Sequence, residues 1–177
     1  MIVINLYAGP GAGKTTQAHD LMAFLKKEGY NVDMIPEYAK QLVYQESKDL
    51  STDQISIFAN QLKPYKYLGN HIDIAIAECP LALSVVYNRH YQIEDNPYFD
   101  QFVMHEHKRF DNINIYLKRE TEYKQEGRYQ DEDGAIQIDN KTQAMLKEFR
   151  MDYKELGLNS FCKNVHELLK TRIEEIK

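Results

Sequence analysis

The chain has 177 residues, 43% of them hydrophobic and 28% charged, which is ordinary for one soluble domain with a sizeable core. Its 22 basic and 27 acidic residues give a net charge of −5, which argues against tight non-specific binding to nucleic acid through a broad basic surface but leaves a local basic groove open. No apolar run is long enough to cross a membrane, there is no secretory signal, and the two cysteines form neither a metal motif nor a disulfide framework. We therefore expect a single domain over residues 1–177 in a reducing cytoplasm.

The first predicted strand, Ile2–Tyr7, runs into the sequence Ala-Gly-Pro-Gly-Ala-Gly-Lys-Thr-Thr at residues 8–16, and a helix is predicted over about 15–28. A strand, a glycine-rich loop, a lysine, a hydroxyl and a helix in this order are typical of a phosphate-binding P-loop. The usual pattern opens with glycine, whereas this loop opens with Ala8, which is small enough for a tight strand exit if its φ is negative.

The P-loop predicts a nucleoside triphosphate, ATP, together with Mg²⁺, as the ligand. Backbone N–H groups of such a loop converge on an anion, and the helix that follows adds the positive end of its dipole. The ammonium group of Lys14 can reach the terminal phosphates, and the hydroxyl of Thr15 can bind Mg²⁺. The predicted nucleotide-binding residues are Gly9, Pro10, Gly11, Ala12, Gly13, Lys14, Thr15 and Thr16.

Apolar runs then alternate with helical patterns along the chain, which predicts an α/β protein built from parallel βαβ units. Further strands are predicted at 31–35, 72–77, 113–117 and 160–163. Helices are predicted at 38–45, from the capping-box residues 51–54 with a kink or break at Pro64, at 80–91, 97–108 and 141–156, and after 163. Residues 118–139 form a long charged stretch without a clear pattern, and a connection of that length is more often functional than passive.

Two glutamates follow predicted strands and therefore belong at the edge of the sheet where parallel α/β proteins bind ligands. Glu78 is placed to hold Mg²⁺ or its water, or else to cap the helix that begins near Pro80. Glu37 is placed to accept a proton from a substrate hydroxyl, or else to serve as a first-turn acid of the next helix.

Two further groups of residues are candidates for substrate contacts. Arg119 and Arg128 lie in the charged stretch and could close over a transferred phosphoryl group, although interleaved acids also fit a solvated loop. Asn60, Gln61 and nearby tyrosines suit a planar base or pyridine ring, although such tyrosine spacings also fit core packing.

Several short motifs beyond the P-loop resemble one family. They are Glu37-Tyr38-Ala39-Lys40, Gln61, the strand that ends at Glu78, and Gly127-Arg128-Tyr129-Gln130 with Ile138-Asp139. Together they resemble the small P-loop ATPase/kinase family typified by the ribosylnicotinamide kinase domain of bacterial NAD-biosynthesis regulators, and more broadly the P-loop nucleoside and nucleotide kinases.

The resemblance implies a three-layer α/β/α fold around a central, mostly parallel, five-stranded sheet. It implies that Lys14 and Thr15 handle phosphates and Mg²⁺, that Glu37 faces the substrate hydroxyl, and that Arg128 belongs to a lid at about 118–140. The candidate substrate-binding residues are Glu37, Tyr38, Gln61 and Arg119.

The reaction implied is ATP-dependent phosphorylation of a hydroxyl or phosphate on a nucleoside-like or nucleotide-like small molecule. Two alternatives stay open: phosphorylation of a modified base hydroxyl in DNA, and a nucleotide-hydrolysing switch without a small acceptor. Membrane association is not expected, and the oligomeric state is not predicted.

Overall fold

Five parallel strands form the centre of the protein in a computed structural model that describes residues 1–45, 53–91, 97–120, 123 and 131–176. The strands are β1 (Ile2–Tyr7), β2 (Val32–Ile35), β3 (Ile74–Ala77), β4 (Asp111–Leu117) and β5 (Lys154–Leu156). Their order in the sheet is β2-β3-β1-β4-β5, and every neighbouring pair is parallel. This order brings the ends of β2, β3 and β1 next to one another.

Seven helices in the described part of the chain cover the two faces of the sheet. They are α1 (Lys14–Lys27), α2 (Tyr38–Tyr44), α3 (Gln54–Leu68), α4 (Leu83–Tyr91), α5 (Pro97–His107), α6 (Glu132–Glu148) and α7 (Phe161–Ile176). One core joins the sheet to α1 and α7, and a second core on the opposite face joins it to α3, α4, α5 and α6. The predicted three-layer α/β/α fold is confirmed.

The strand β1 explains why both faces are covered. All six of its side chains are buried, and the apolar ones divide between the two cores, with Val3 and Tyr7 on one face and Ile4 and Leu6 on the other. A parallel strand with no polar face needs helices on both sides of the sheet. The run of apolar residues before the P-loop therefore fixes the layered arrangement around it.

The helix predicted at 141–156 was placed too late, because the structure shows it at Glu132–Glu148. Asp131 caps this helix by accepting a hydrogen bond from the Gly134 N–H at 2.8 Å, and Glu132 and Asp133 lie in its first turn. A cap followed by first-turn acids stabilises a helix start. The acids that were interpreted as part of an irregular stretch thus begin α6.

The fifth strand was also predicted in the wrong place. It lies at Lys154–Leu156 rather than at 160–163, where α7 begins instead. Strand β5 pairs only with β4 and exposes Lys154 and Glu155. Charged side chains are common on an edge strand, so β5 lacks the apolar run that marks the inner strands.

Pro64 does not break α3, and α4 begins three residues later than predicted. Helix α3 continues through Pro64 with Leu62 and Tyr65 buried on either side of it, so packing against the sheet outweighs the hydrogen bond that proline removes. Residues 80–82 form a tight turn before α4, since the Leu83 N–H bonds to the Pro80 carbonyl at 3.0 Å. In the part of the chain that the structure describes, no helix is both long and apolar enough to span a bilayer.

Candidate active site

Three strand ends meet at one edge of the sheet. The P-loop follows β1, Glu78 follows β3 directly, and Glu37 lies two residues beyond β2. Ala77 pairs with Asn5 on one side and with Ile35 on the other, and the Glu78 N–H donates to the Ile35 carbonyl at 3.1 Å. The structure therefore brings the P-loop and both glutamates to the same crevice.

The P-loop has the backbone of an anion-binding turn. Gly11 and Gly13 adopt left-handed φ values of 78° and 90°, which glycine accepts without steric cost. Gly13 is the N-cap of α1, and its carbonyl accepts from the Gln17 N–H at 3.0 Å. Ala8 is fully buried and is not among the positive-φ residues, which explains why alanine can replace the usual opening glycine.

Lys14 begins α1 and folds its side chain back over the start of the loop. Its Nζ donates to the carbonyls of Ala8 at 2.8 Å and Gly9 at 3.0 Å, and the residue is only 8% exposed. A buried ammonium group held by two carbonyls is a localised positive charge at the mouth of the loop. This placement is the one expected for a lysine that meets phosphate oxygens.

Thr15 and Glu78 supply two oxygen donors in direct contact. The Thr15 hydroxyl donates to Oε1 of Glu78, and Glu78 is almost completely buried. Mg²⁺ prefers hard oxygen ligands and is bound by few protein groups together with phosphates and water. The chemistry of this pair therefore fits Mg²⁺, and the binding of the ion there stays a prediction.

Glu37 lies on a turn that Gln61 holds in place through two hydrogen bonds. The buried Gln61 amide accepts from the Tyr38 N–H at 2.8 Å and donates to the Pro36 carbonyl at 3.0 Å. Glu37 is the N-cap residue of α2, yet its carboxylate makes no capping hydrogen bond to that helix. Gln61 thus holds the two residues that flank Glu37, and its contact with a planar ligand stays a prediction.

Burial and the charge of Glu37 raise the pKa of two neutral side chains, Cys79 and Tyr87, that were not predicted as site residues. Burial raises the pKa of the Cys79 thiol, the charge of Glu37 raises it further, and Lys14 opposes this shift. Burial followed by the charge of Glu37 also raises the pKa of the Tyr87 phenol. Both groups are therefore protonated at neutral pH, so neither competes with the carboxylates for a cation.

Arg119 contacts the P-loop, together with a carboxylate that the sequence hypotheses did not assign to the site. Its Nε and Nη2 donate to Oδ2 of Asp139 at 2.8 and 2.6 Å, and Nη2 also donates to the Pro10 carbonyl at 2.8 Å. The other oxygen of Asp139 accepts from the Gly9 N–H at 2.5 Å. A signal was present, because Asp139 lies on the buried face of α6 beside Ile138 and Thr142, where a carboxylate needs partners.

The remaining predicted residues differ in how far the structure describes them. Ala12 is buried in the loop, whereas Thr16 exposes its side chain at the start of α1. Arg128 lies outside the described residues, and of the predicted lid the structure describes 118–120, 123 and 131–140. Among the described residues, no cluster of three or more His, Cys, Asp or Glu residues is arranged to hold a metal ion.

Comparison with known proteins supports this assignment of the fold. A thymidylate kinase from Ehrlichia chaffeensis superposes with a TM-score of 0.61 and 16% identity, covering 95% of this chain and 98% of that one. A deoxyadenosine kinase from M. mycoides, solved with the products dCMP and a flexible dCDP, superposes with a TM-score of 0.53 and 16% identity over 99% of this chain and 100% of that one. A search of curated proteins found no match.

Likeness at this level of identity shows a shared fold, here the P-loop α/β fold of nucleotide kinases. A family model described as AAA domain matches residues 3–161, which include all strands from the second residue of β1 onward and all helices except most of α7. The chain therefore belongs to the AAA domain family.

Proposed function

We propose that this protein is an ATP-dependent kinase that phosphorylates a hydroxyl or phosphate of a nucleoside-like or nucleotide-like small molecule. One observation carries the proposal: two carboxylates stand at neighbouring strand ends beside a single P-loop. Glu78 is bonded to Thr15, whereas Glu37 stands on the turn after the next strand. One carboxylate serves the nucleotide, and the other serves a second substrate.

The nucleotide half of the proposed site is built from the P-loop and α1. Loop N–H groups and the N-terminus of α1 bind the phosphates of ATP, and Lys14 places its positive charge on the terminal ones. Thr15 and Glu78 would hold Mg²⁺, which neutralises phosphate charge when bound. Phosphoryl transfer gains most from such positioning and charge stabilisation.

The acceptor half of the proposed site is built around Glu37. Its carboxylate orients the acceptor hydroxyl and takes its proton as the bond from the acceptor oxygen to the terminal phosphorus forms and the bond from that phosphorus to the leaving ADP breaks. Gln61 keeps the turn rigid, and Tyr38 follows Glu37 at the start of α2. Arg128, from the predicted lid, is proposed to meet the charge of the transferred phosphoryl group.

The names of the two similar structures, a thymidylate kinase and a deoxyadenosine kinase, support a nucleoside or nucleotide as the acceptor. The test is transfer of label from γ-³²P-ATP to a panel of nucleosides, nucleoside monophosphates and nicotinamide riboside, with DNA carrying a hydroxymethylated base as a separate arm. We expect label on one or more small molecules. Label on the DNA alone would replace the proposed acceptor, and label on none of the panel would contradict the proposal.

A further inference from the structure

The carboxylate of Asp139 in α6 connects this helix to the P-loop, directly through one oxygen and through Arg119 with the other. Oδ1 of Asp139 accepts from the Gly9 N–H at 2.5 Å, and Oδ2 accepts from Arg119 at 2.6 and 2.8 Å. Arg119 completes the ring of contacts by donating to the Pro10 carbonyl at 2.8 Å. Two consecutive residues of the P-loop are thus bonded to a pair of side chains from other elements.

Glycine at position 9 lets α6 approach this closely. A Cβ on Gly9 would lie 2.5 Å from the Ala135 carbonyl oxygen and 3.0 Å from Oδ1 of Asp139. Gly9 is not among the glycines with positive φ, so it is the close approach and not the backbone conformation that requires glycine here. The P-loop and α6 are therefore in direct backbone contact.

The ion pair is largely shielded from water. The Arg119 side chain is 18% exposed and the Asp139 side chain 11% exposed. Removing either partner of such a pair leaves an uncompensated charge, which costs more than the pair itself contributes. Nη1 of Arg119 has no hydrogen-bond partner among the described residues, and it would lie 3.4 Å from a Cβ on Gly11. The guanidinium group therefore lies against the loop that binds phosphates.

We infer that Asp139 and Arg119 are positioning residues that hold the P-loop in its phosphate-binding shape. This inference rests on the proposed function, because it takes the loop to bind ATP. Asp139 fixes the Gly9 amide and aims Arg119, and Arg119 fixes the Pro10 carbonyl. Gly9 and Pro10 lie directly before Gly11 and Gly13, whose left-handed conformations shape the anion site.

A purely electrostatic role for Asp139 and Arg119 and a positioning role predict opposite changes in Mg-ATP affinity for the variant Asp139→Asn. Asp139→Asn removes a negative charge close to the phosphates and leaves Arg119 in place. If these residues acted through charge alone, Mg-ATP would bind more tightly to this variant. If Asp139 positions the loop, the loss of the charged contact weakens Mg-ATP binding, because Arg119 is no longer aimed and the loop is no longer fixed.

The experiment measures the Kd of Mg-ATP by titration calorimetry without any acceptor, and Tm for each variant. We expect Asp139→Asn to raise this Kd about tenfold, the effect of one charge-assisted contact. The matched control is Asp133→Asn, which makes the same change at an exposed position of α6 and leaves the Kd unchanged. If the wild type binds Mg-ATP and Asp139→Asn has an unchanged or lower Kd, the inference is overturned while the proposed function is not.

A second variant tests the same contact from the other side. Gly9→Ala keeps Asp139 and Arg119 but pushes the loop away from Ala135, so we expect it to raise the Kd as well. If Asp139→Asn does not fold, the Kd of Mg-ATP for Gly9→Ala tests the inference instead. An unchanged Kd in Gly9→Ala then contradicts the inference. A wild-type protein that fails to bind Mg-ATP overturns the proposed function itself, and the inference with it.

Discussion

A variant of Lys14 tests whether the loop after β1 binds phosphate or is an ordinary turn. Its ammonium group is buried and held by two carbonyls at the start of the loop. We expect Lys14→Ala to reduce phosphoryl transfer roughly 10²–10³-fold, because the variant loses the charge that we propose meets the terminal phosphates. Initial rates of label transfer from ATP measure this effect.

The matched control for Lys14 is Lys27→Ala, which removes an exposed lysine from the other end of α1. This variant keeps full activity, since Lys27 is one helix length away from the loop. Near-normal turnover in Lys14→Ala would show that the loop does not serve the reaction.

A variant of Glu37 distinguishes an effect on the chemical step from an effect on nucleotide binding. Glu37→Gln keeps the size of the side chain but removes the base, so we expect kcat to fall about 10²-fold while the Kd of ATP stays unchanged. Asp33→Asn, on the exposed face of β2, is the control and leaves both quantities unchanged. A weaker affinity for ATP in Glu37→Gln would instead place Glu37 in the nucleotide site.

His107 makes the stability of the protein depend on pH. Burial lowers the pKa of His107 from 6.5 to about 4, and the charge of Lys108 adds to this shift. Because the folded-state pKa is depressed, the unfolded chain binds a proton below pH 6.5 that the folded chain does not. Stability is therefore lost as the pH falls, and this residue alone lowers the free energy of unfolding by about 2 kcal/mol between pH 7 and 5.

Urea denaturation of wild type and His107→Gln at pH 7 and 5 checks this expectation. The variant loses this part of the pH dependence, whereas His105→Gln, an exposed histidine of the same helix, retains it. Equal pH dependence in wild type and His107→Gln would show that His107 is not the group responsible.

At the scale of elements, α3 supports the acceptor side of the site through one buried amide. Gln61→Met keeps the shape of the side chain but removes both hydrogen bonds to the turn around Glu37. We expect the free energy of unfolding to fall by about 1–3 kcal/mol and kcat to fall with it, while the Kd of ATP stays unchanged. The control Gln137→Met makes the same change on the exposed face of α6.

Thermal unfolding and steady-state kinetics measure these two effects of Gln61→Met together. A loss of stability with an unchanged kcat would mean that Gln61 supports the fold without positioning Glu37. A raised Kd for ATP would mean that α3 also acts on the nucleotide half.

Strands β1 and β3 could be predicted from the sequence because each is a short, buried and mostly apolar run. The edge strand β5 could not be predicted, since Lys154 and Glu155 face solvent and carry no apolar signal. Helix α3 was predicted with a kink or break because a local rule about Pro64 gave no weight to the packing of Leu62 and Tyr65. Packing outweighs local preference in α3, whereas in β5 pairing with β4 forms a strand without an apolar pattern.

The site was predictable where residues follow strands and not where they depend on packing between distant elements. Glu37 and Glu78 are assigned by the rule that parallel strands end at one edge of the sheet. Asp139 meets Gly9 across 130 residues of chain, and nothing in the spacing of the two residues indicates that contact. Arg119 contacts the P-loop through the Pro10 carbonyl and is oriented by Asp139, and its contact with a substrate stays a prediction.

At the scale of the whole molecule, the strand order decides what the P-loop can do. With β3 between β1 and β2, Glu78 lies next to the loop and Glu37 lies one strand further away. Phosphate binding alone does not distinguish a kinase from a nucleotide-hydrolysing switch. We propose that the second carboxylate makes the crevice a site for two substrates, with α6 bonded to the P-loop and α3 bonded to the turn that carries Glu37.

The most direct test of this two-substrate site is the rate of ADP formation from Mg-ATP with and without each acceptor of the panel. We predict slow ADP formation from ATP alone, a large increase with the true acceptor, and one phosphorylated acceptor for each ADP. Rapid ADP formation that no acceptor changes would contradict the account, because the protein would then hydrolyse ATP without passing its phosphate to a second substrate.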